Sequence, residues 1–516
     1  MTRGWKELIV MVLTAPVVCA NLPAQTQSKA SADAAGIYDR LPGLDKRILD
    51  TTADPCEDFF QYACGNFGKL YPIPNDRSSY AAYLMVDEYI ENVLRTILEK
   101  AAAAGSQRTA NEQKIGDFYA SCMATDAIEA NGLKPLQSEL ARIAALRSKD
   151  ELPELLAHYQ LINATAFFVF SDQKDFADAR KQIAVIDQGG LGLPDREFYF
   201  RTGDADQKLR DEYVQHINNI FKLMGEPKVD AAADAQKVMQ LEMALAKVSL
   251  DVTSRRNPSN IYHLMPVSGL ATLTPAIAWD RFLKATGAPP VSELNIATPD
   301  FFKGLNTLLA STDLDTIKTY LRWQLIRSID GLVLPQALDD EAFDFYGRKV
   351  NGQLEQRSRW KRCVRATDQA LGEAVGQFYV AQEFPPSSKQ ATVQMVHDLE
   401  SAMEQNLDTL DWMSSTTKVR AKEKLHAIVD KIGYPNHWRD YSKLTVIRGD
   451  AFGNSLRAVE FENRRELAEI GQPVDRDEWY MTPSTNDAYY SASMNDINFP
   501  AGLLQPPMYD PQATDA

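Results

Sequence analysis

At 516 residues the chain is long enough for about three average domains or for one large two-lobed body. Its 45% hydrophobic and 24% charged residues are ordinary globular material, which excludes a disordered or fibrous chain. The formal net charge of -15 argues against a nucleic-acid partner, because displacing counterions from phosphates needs a basic surface.

In chain order, Met1–Ala20 has Arg3 and Lys6 ahead of the apolar run Leu8–Val18, then Val18-Cys19-Ala20, the outline of a secretory signal peptide with its cleavage site. The run is short for a bilayer span and no later stretch is long and apolar enough, so no integral membrane span is expected. A lipid anchor at Cys19 ranks below simple export, since Val18 stands where such sites prefer a small residue. Residues 21–45 read as a flexible leader, rich in Ala, Ser and Gln at Asn21–Ala35. Export, periplasmic or extracellular, makes the cysteines disulfide candidates. There are five, Cys19, Cys56, Cys64, Cys122 and Cys363, and the first leaves with the signal peptide. The other four allow three pairings, and none has C-x-x-C spacing, which speaks against metal or redox roles.

Asp54–Phe67, DPCEDFFQYACGNF, places four aromatic residues around two cysteines and reads as an aromatic turn. Helices follow at Tyr83–Lys100, Asn111–Ala124, Leu136–Leu146 and Leu152–Ile162, with apolar residues at three- and four-residue spacing such as Ile90, Val93, Leu94, Ile97 and Leu98. Ala166–Ser171 and Gln182–Asp187 alternate and are β-branched, which predicts a small hairpin. Gly189–Phe200, GGLGLPDREFYF, lacks the G-x-x-x-x-G-K-[ST] pattern and a βαβ context, so it is not a phosphate loop. Further helices are predicted at Lys208–Met224, Ala233–Val248, Thr316–Ile329, Arg359–Val380 and from Ser388 to Thr409. Lys418, Arg420, Lys422 and Lys424 alternate with apolar residues and read as a solvated helix face.

Near the end, Ala488–Ser491 and Asp496–Phe499 flank a polar turn and predict a hairpin, after which Pro500, Pro506 and Pro507 force an extended path. On pattern alone this reads first as an ordinary hairpin at the rim of a domain, and such a strand can also serve as an edge that pairs with an extended peptide.

Five segments, DPCEDFFQYACGNF, GGLGLPDREFYF, RWKRCVRATDQALGEAVGQFYV, KIGYPNHWRDY and AYYSASMNDINFPAGLLQPP, together resemble the neprilysin and endothelin-converting-enzyme family of zinc metallopeptidases, in that family's order. The resemblance covers nearly everything from Asp54 onward. It implies a mainly α, two-lobed neprilysin-like ectodomain with small β-hairpins and an incomplete catalytic lobe. Residues 46–100 would begin the catalytic lobe, 101–390 form a helical cap lobe, and 391–516 continue the catalytic lobe, truncated before the zinc site. The family pairs the cysteines corresponding to Cys122 and Cys363. Cys56 and Cys64 would have their family partners beyond Ala516, leaving them unpaired or bonded to each other. The aligned substrate-holding residues are Asp487 and Ala488, with Asp487 standing where the family has an asparagine, so the clamp is altered. Asn486 lies one place early. Arg77 lies two residues before the position from which a family arginine grips the substrate carboxylate.

Peptide hydrolysis by zinc needs three protein ligands, an open position and a carboxylate base, usually supplied by H-E-x-x-H on a helix. The six histidines are His158, His216, His263, His397, His426 and His437, and no two lie within five residues of each other. His397 stands beside Asp398 and Glu400 on a predicted helix, an arrangement that reads as surface. There is no G-x-S-x-G elbow, and carboxylate pairs such as Glu57 and Asp58 are commonplace in an acidic chain. No catalytic residue and no metal ligand is therefore assigned. The family's zinc is not expected on this chain alone. The expectation is the amino-terminal region of an exported zinc metalloendopeptidase acting on peptides, inactive alone or completed by a carboxyl-terminal chain. The alternative is a non-catalytic peptide-binding or scaffold protein.

Overall fold

The computed structural model describes residues 46–510 except 104 and 106. The expected signal segment, leader and Cys19 lie outside the described residues. Of the described residues 59% are helical, and they also form two small sheets. It divides into two compact units, one from residues 120–351 and 442–475, the other from 46–119, 352–441 and 476–510.

In the first unit the predicted hairpin forms as strands β1 (Phe168–Lys174) and β2 (Gln182–Gln188), antiparallel with Phe168 opposite Gln188. Two short strands not anticipated from the sequence, β3 (Leu264–Pro266) and β4 (Glu293–Ile296), extend the sheet in the order β1-β2-β4-β3, with β2 and β4 parallel. Phe168 anchors the core, its ring 5.1 Å from both Trp279 and Phe282 and 6.2 Å from Phe302. The helices Asp204–Leu223, Lys228–Val248 and Leu314–Ser328 match the predicted ones to within a few residues. Gly225, at φ +96°, follows the first of them, in backbone that a side chain disfavours.

The glycine-rich stretch is structural. Gly190 O accepts from Tyr320 Oη at 2.9 Å and from Gln324 Nε2 at 2.9 Å. Gly192 N and Leu193 N donate to Tyr199 Oη, which in turn donates to the buried carboxylate of Glu242 at 2.7 Å. Tyr213 Oη also donates to Glu242, and Trp323 and Gln324 complete its partners. A polar core of this kind is tolerable because its members satisfy one another. A Cβ on Gly192 would come within 1.7 Å of Tyr213 Oη, so the loop needs glycine there.

The second unit holds the helices Ala82–Ala103, Arg359–Glu383, Pro386–Thr409 and Ser415–Leu425. Ile90, Val93, Leu94, Ile97 and Leu98, the predicted stripe of the first helix, are all buried. Its sheet is β5 (Val429–Gly433), β6 (Tyr489–Ser491) and β7 (Asp496–Pro500), in the order β5-β7-β6. β6 and β7 form the predicted hairpin, closed by Asn495 at φ +49°. β5 runs parallel to β7.

Cys64, Cys122 and Cys363 are disulfide-bonded, whereas Cys56 is exposed and free. Cys56 therefore matches one of the expected outcomes. Cys64 is neither free nor joined to Cys56, so the expectation for it is corrected: it is buried at the end of the short helix Phe59–Cys64 and has a partner other than Cys56. No described helix is long and apolar enough to cross a membrane.

Candidate functional site

Within the second unit, the strand that resemblance singles out lies at the end of its sheet. β6 pairs with β7 through Tyr489↔Asn498, Tyr490↔Ile497 and Ser491↔Asp496, and its other side carries no strand of that sheet. A three-residue edge strand with one ladder unmade is suited to adding a peptide by main-chain hydrogen bonds.

The approach to this edge is fixed from below. Asp368, half-buried on the Arg359–Glu383 helix, accepts from Ser484 Oγ at 2.7 Å and Thr482 Oγ1 at 3.1 Å. Burial pushes its carboxyl up to about 6, with the two hydroxyls pulling it back. Thr482 also lies against Gly372, where a Cβ would meet its methyl at 2.1 Å. Tyr489 is buried, its hydroxyl accepting from Tyr480 N at 3.3 Å, and burial raises the phenol far above its ordinary range. Tyr490 donates to Asn495 Oδ1 across the hairpin turn.

Of the residues expected to hold substrate, Asp487 is exposed and Ala488 half-buried, both just ahead of β6. Asp487 Oδ1 accepts from Ala488 N at 2.8 Å, so one carboxylate oxygen is turned onto the neighbouring backbone. Asn486, one place early, is engaged elsewhere: its amide donates to Tyr83 O at 2.6 Å and Asp87 Oδ1 at 3.0 Å. Burial raises the Asp87 carboxyl, with Asn486 and Arg77 opposing. Arg77 is tied to Glu88 at 3.2 Å, and Tyr80 Oη donates to the same carboxylate. The second guanidinium nitrogen of Arg77, Nη2, is buried without a partner among the described residues. Arg77 and Asn486 thus converge on one end of the Ala82–Ala103 helix through Glu88 and Asp87, a grouping that sequence spacing of about 400 residues conceals.

The histidines do not build a two-histidine zinc centre among the described residues. His158 is bonded to Glu139 at 2.6 Å, and His216 is buried, stacked on Phe345 and bonded to Glu341 at 3.1 Å. One group of three side chains does have ligand spacing: His397, Glu400 and Asp430, whose ligating atoms lie within 4.8 Å of one another. The sequence reading missed it because Asp430 comes from β5. The available signal was the i, i+3 pair His397 and Glu400 on one helical face. His397 also lines an open groove of about 600 Å³ with Lys389, Val393, Tyr434 and Trp438.

The Peptidase family M13 model matches residues 55–435. The chain belongs to peptidase family M13. Endothelin-converting enzyme 1 of Rattus norvegicus is 31% identical over 99% of this M13 chain and 69% of its own length. The Homo sapiens enzyme of that name is 30% identical over 98% of this chain and 68% of its own length. Neprilysin-3 of Drosophila melanogaster is 29% identical over 90% of this chain, which spans 62% of that relative. Among solved structures, the Mycobacterium tuberculosis zinc metalloprotease Zmp1 in complex with inhibitor superposes with a TM-score of 0.86 at 35% identity, covering 92% of this chain and 72% of that one. PepO of Lactobacillus rhamnosis shares the fold, with a TM-score of 0.79 at 20% identity. The neprilysin and endothelin-converting-enzyme resemblance is therefore correct, and so is the mainly helical neprilysin-like fold.

Proposed function

We propose that these 516 residues hold the peptide substrate of a neprilysin-like zinc metalloendopeptidase and leave cleavage to a zinc-binding segment that is not among them. The observation that carries the reading is the position of β6 at the edge of its sheet, immediately after Asp487 and Ala488. An extended peptide adds there as a further strand, its backbone bonded to the backbone at Ala488 and along β6. Asp487 accepts hydrogen bonds from the peptide but donates none. Bound zinc would supply Lewis-acid polarisation of the scissile carbonyl and an activated water. Two histidines one helical turn apart are what such a centre needs, and this sequence has no such pair.

The test is binding and cleavage of a fluorescent, extended peptide by the purified full chain. Saturable binding, weakened when alternate peptide amides are N-methylated, without chelator-sensitive cleavage is the expected result. Chelator-sensitive cleavage by this chain alone would place a catalytic centre on dispersed residues and overturn the reading. No binding at all would leave a scaffold.

We also propose export from the cell, supported by three disulfide-bonded cysteines, since most cytosols keep thiols reduced. The pairing Cys122 with Cys363 is proposed on the family pattern. Peptide mapping without reductant tests it, and a different cross-linked pair would refute it.

A further inference from the structure

The helix Pro386–Thr409 places His397, Glu400 and Glu404 at i, i+3 and i+7, one stripe of its surface. The Ser415–Leu425 helix ends at His426, and four residues later Asp430 enters β5. His426 Nε2 lies 3.3 Å from Glu404 Oε2, and His397 Nε2 lies 3.4 Å from Asp430 Oδ2. All these residues belong to one compact unit.

A histidine–aspartate ion pair does not account for this cluster. His397 reaches Oδ2 of Asp430 and leaves Oδ1 buried with no hydrogen-bond partner among the described residues. An orphaned buried carboxylate oxygen is costly. Glu400, half-buried beside it, draws only on the more distant charges of His397 and His426. Burial pushes both carboxyls upward; the charge of Asp430 raises Glu400 further, and His397 pulls Asp430 back. Two carboxylates and one imidazole are thus gathered with one carboxylate oxygen left without a partner among the described residues. A divalent cation would satisfy the orphan oxygen and both negative charges together.

We propose that His397, Glu400 and Asp430 form a binding site for a divalent first-row transition cation such as zinc. Zinc lies about 2.0–2.2 Å from nitrogen and carboxylate oxygen in tetrahedral sites, so its ligands stand about 3.3–3.5 Å apart. The ligating atoms here are at most 4.8 Å apart, and His397 to Asp430 is already 3.4 Å. Rotation of the Glu400 side chain, on a partly exposed helix face, closes the remainder. The imidazole selects zinc, cobalt or nickel over calcium and magnesium, which take oxygen ligands. Three protein ligands leave a position for water or an anionic ligand. His397 opens that position to the groove lined by Lys389 and Trp438. A bound cation would also join the Pro386–Thr409 helix to β5.

The experiment is isothermal titration of the full chain, stripped with chelator, with zinc chloride in the presence of excess magnesium. One zinc equivalent is expected that His397→Ala and Glu400→Gln each weaken by about tenfold or more. Both side chains are on the helix surface, and circular dichroism will verify that these variants stay folded. Zinc should also raise the Tm of the parent chain by more than that of His397→Ala, because a ligand that binds only the folded state stabilises it. Absence of zinc binding by the parent, or binding undiminished in both variants, overturns the proposal.

Discussion

Lys431 on β5 and Asp496 on β7 form an ion pair at 2.5 Å with side chains only 4% and 0% exposed, the deepest such pair in the second unit's sheet. Lys431 Nζ also donates to Glu478 O, and Asp496 Oδ1 accepts from Asn498 Nδ2 at 3.0 Å. The pair locks the parallel register of β5 on β7, and β7 in turn carries β6. Removing one partner strands the other charge in the interior. Asp496→Ala is expected to cost about 3–5 kcal/mol, whereas replacing both residues by apolar ones of similar volume costs much less. Hydrogen exchange of the β5 and β7 amides measures this. Equal losses in the single and double variants would contradict it.

Asp368 gives a pH dependence with a definite sign. Its carboxyl titrates near 6 in the folded protein because of burial, against about 3.9 when unfolded. Between those values the folded state binds more protons, so stability falls as pH rises from about 4 to 6. The carboxylate form contributes an unfavourable term of about 3 kcal/mol by pH 7. Asp368→Asn keeps an acceptor for Ser484 and Thr482 but does not titrate. The stability difference between parent and variant, followed by urea denaturation, should shift in favour of the variant across pH 4–6 and be flat above 7. A constant difference would mean that the Asp368 carboxyl is not raised in the folded protein.

These two networks show why part of the fold was legible and part was not. Helices such as Ala82–Ala103 announce themselves because each buried residue recurs three or four places on, and the β6–β7 hairpin because its strands are neighbours in sequence. β5 has no such local signal: it is held by residues more than sixty positions away, through Lys431 and Asp496. Asp430 is invisible as a neighbour of His397 for the same reason. Residues 442–475 belong to the same compact unit as 120–351, and nothing in their composition says so. Asn463, for example, donates to Gln160 O and Leu161 O across some 300 residues. The β6–β7 hairpin proposed as the peptide edge was readable as a hairpin, whereas the engagement of Asn486 with Asp87 was not.

The glycine-rich loop offers a contrast between two glycines. Gly192 has Tyr213 Oη where its Cβ would be, and Tyr213 cannot yield without losing Glu242 and Trp323. Gly192→Ala should destabilise by about 1–3 kcal/mol through overpacking. Gly225 has nothing within 4 Å but a φ of +96°. Gly225→Ala should cost only the backbone penalty, about 1–2 kcal/mol, and leave the Glu242 network intact. Near-ultraviolet circular dichroism, sensitive to Tyr213 and Trp323, should change for the first variant and not for the second.

Asp487 is the residue at which the proposed peptide clamp would depart from the pattern that the family resemblance implies. Its Oδ1 already accepts from Ala488 N, and a carboxylate meets peptide amides well and peptide carbonyls badly. Asp487→Asn adds an amide donor at the same position without changing size. One added hydrogen bond contributes about 0.5–1.5 kcal/mol net, so peptide affinity should rise by about two- to tenfold. Asp487→Ala removes the acceptor and should lower affinity without altering the fold, because the side chain is exposed. Fluorescence anisotropy with one labelled peptide compares all three proteins. If Asp487→Asn and Asp487→Ala both bind as the parent does, the peptide does not pass this residue, and the β6 edge is not where it is held.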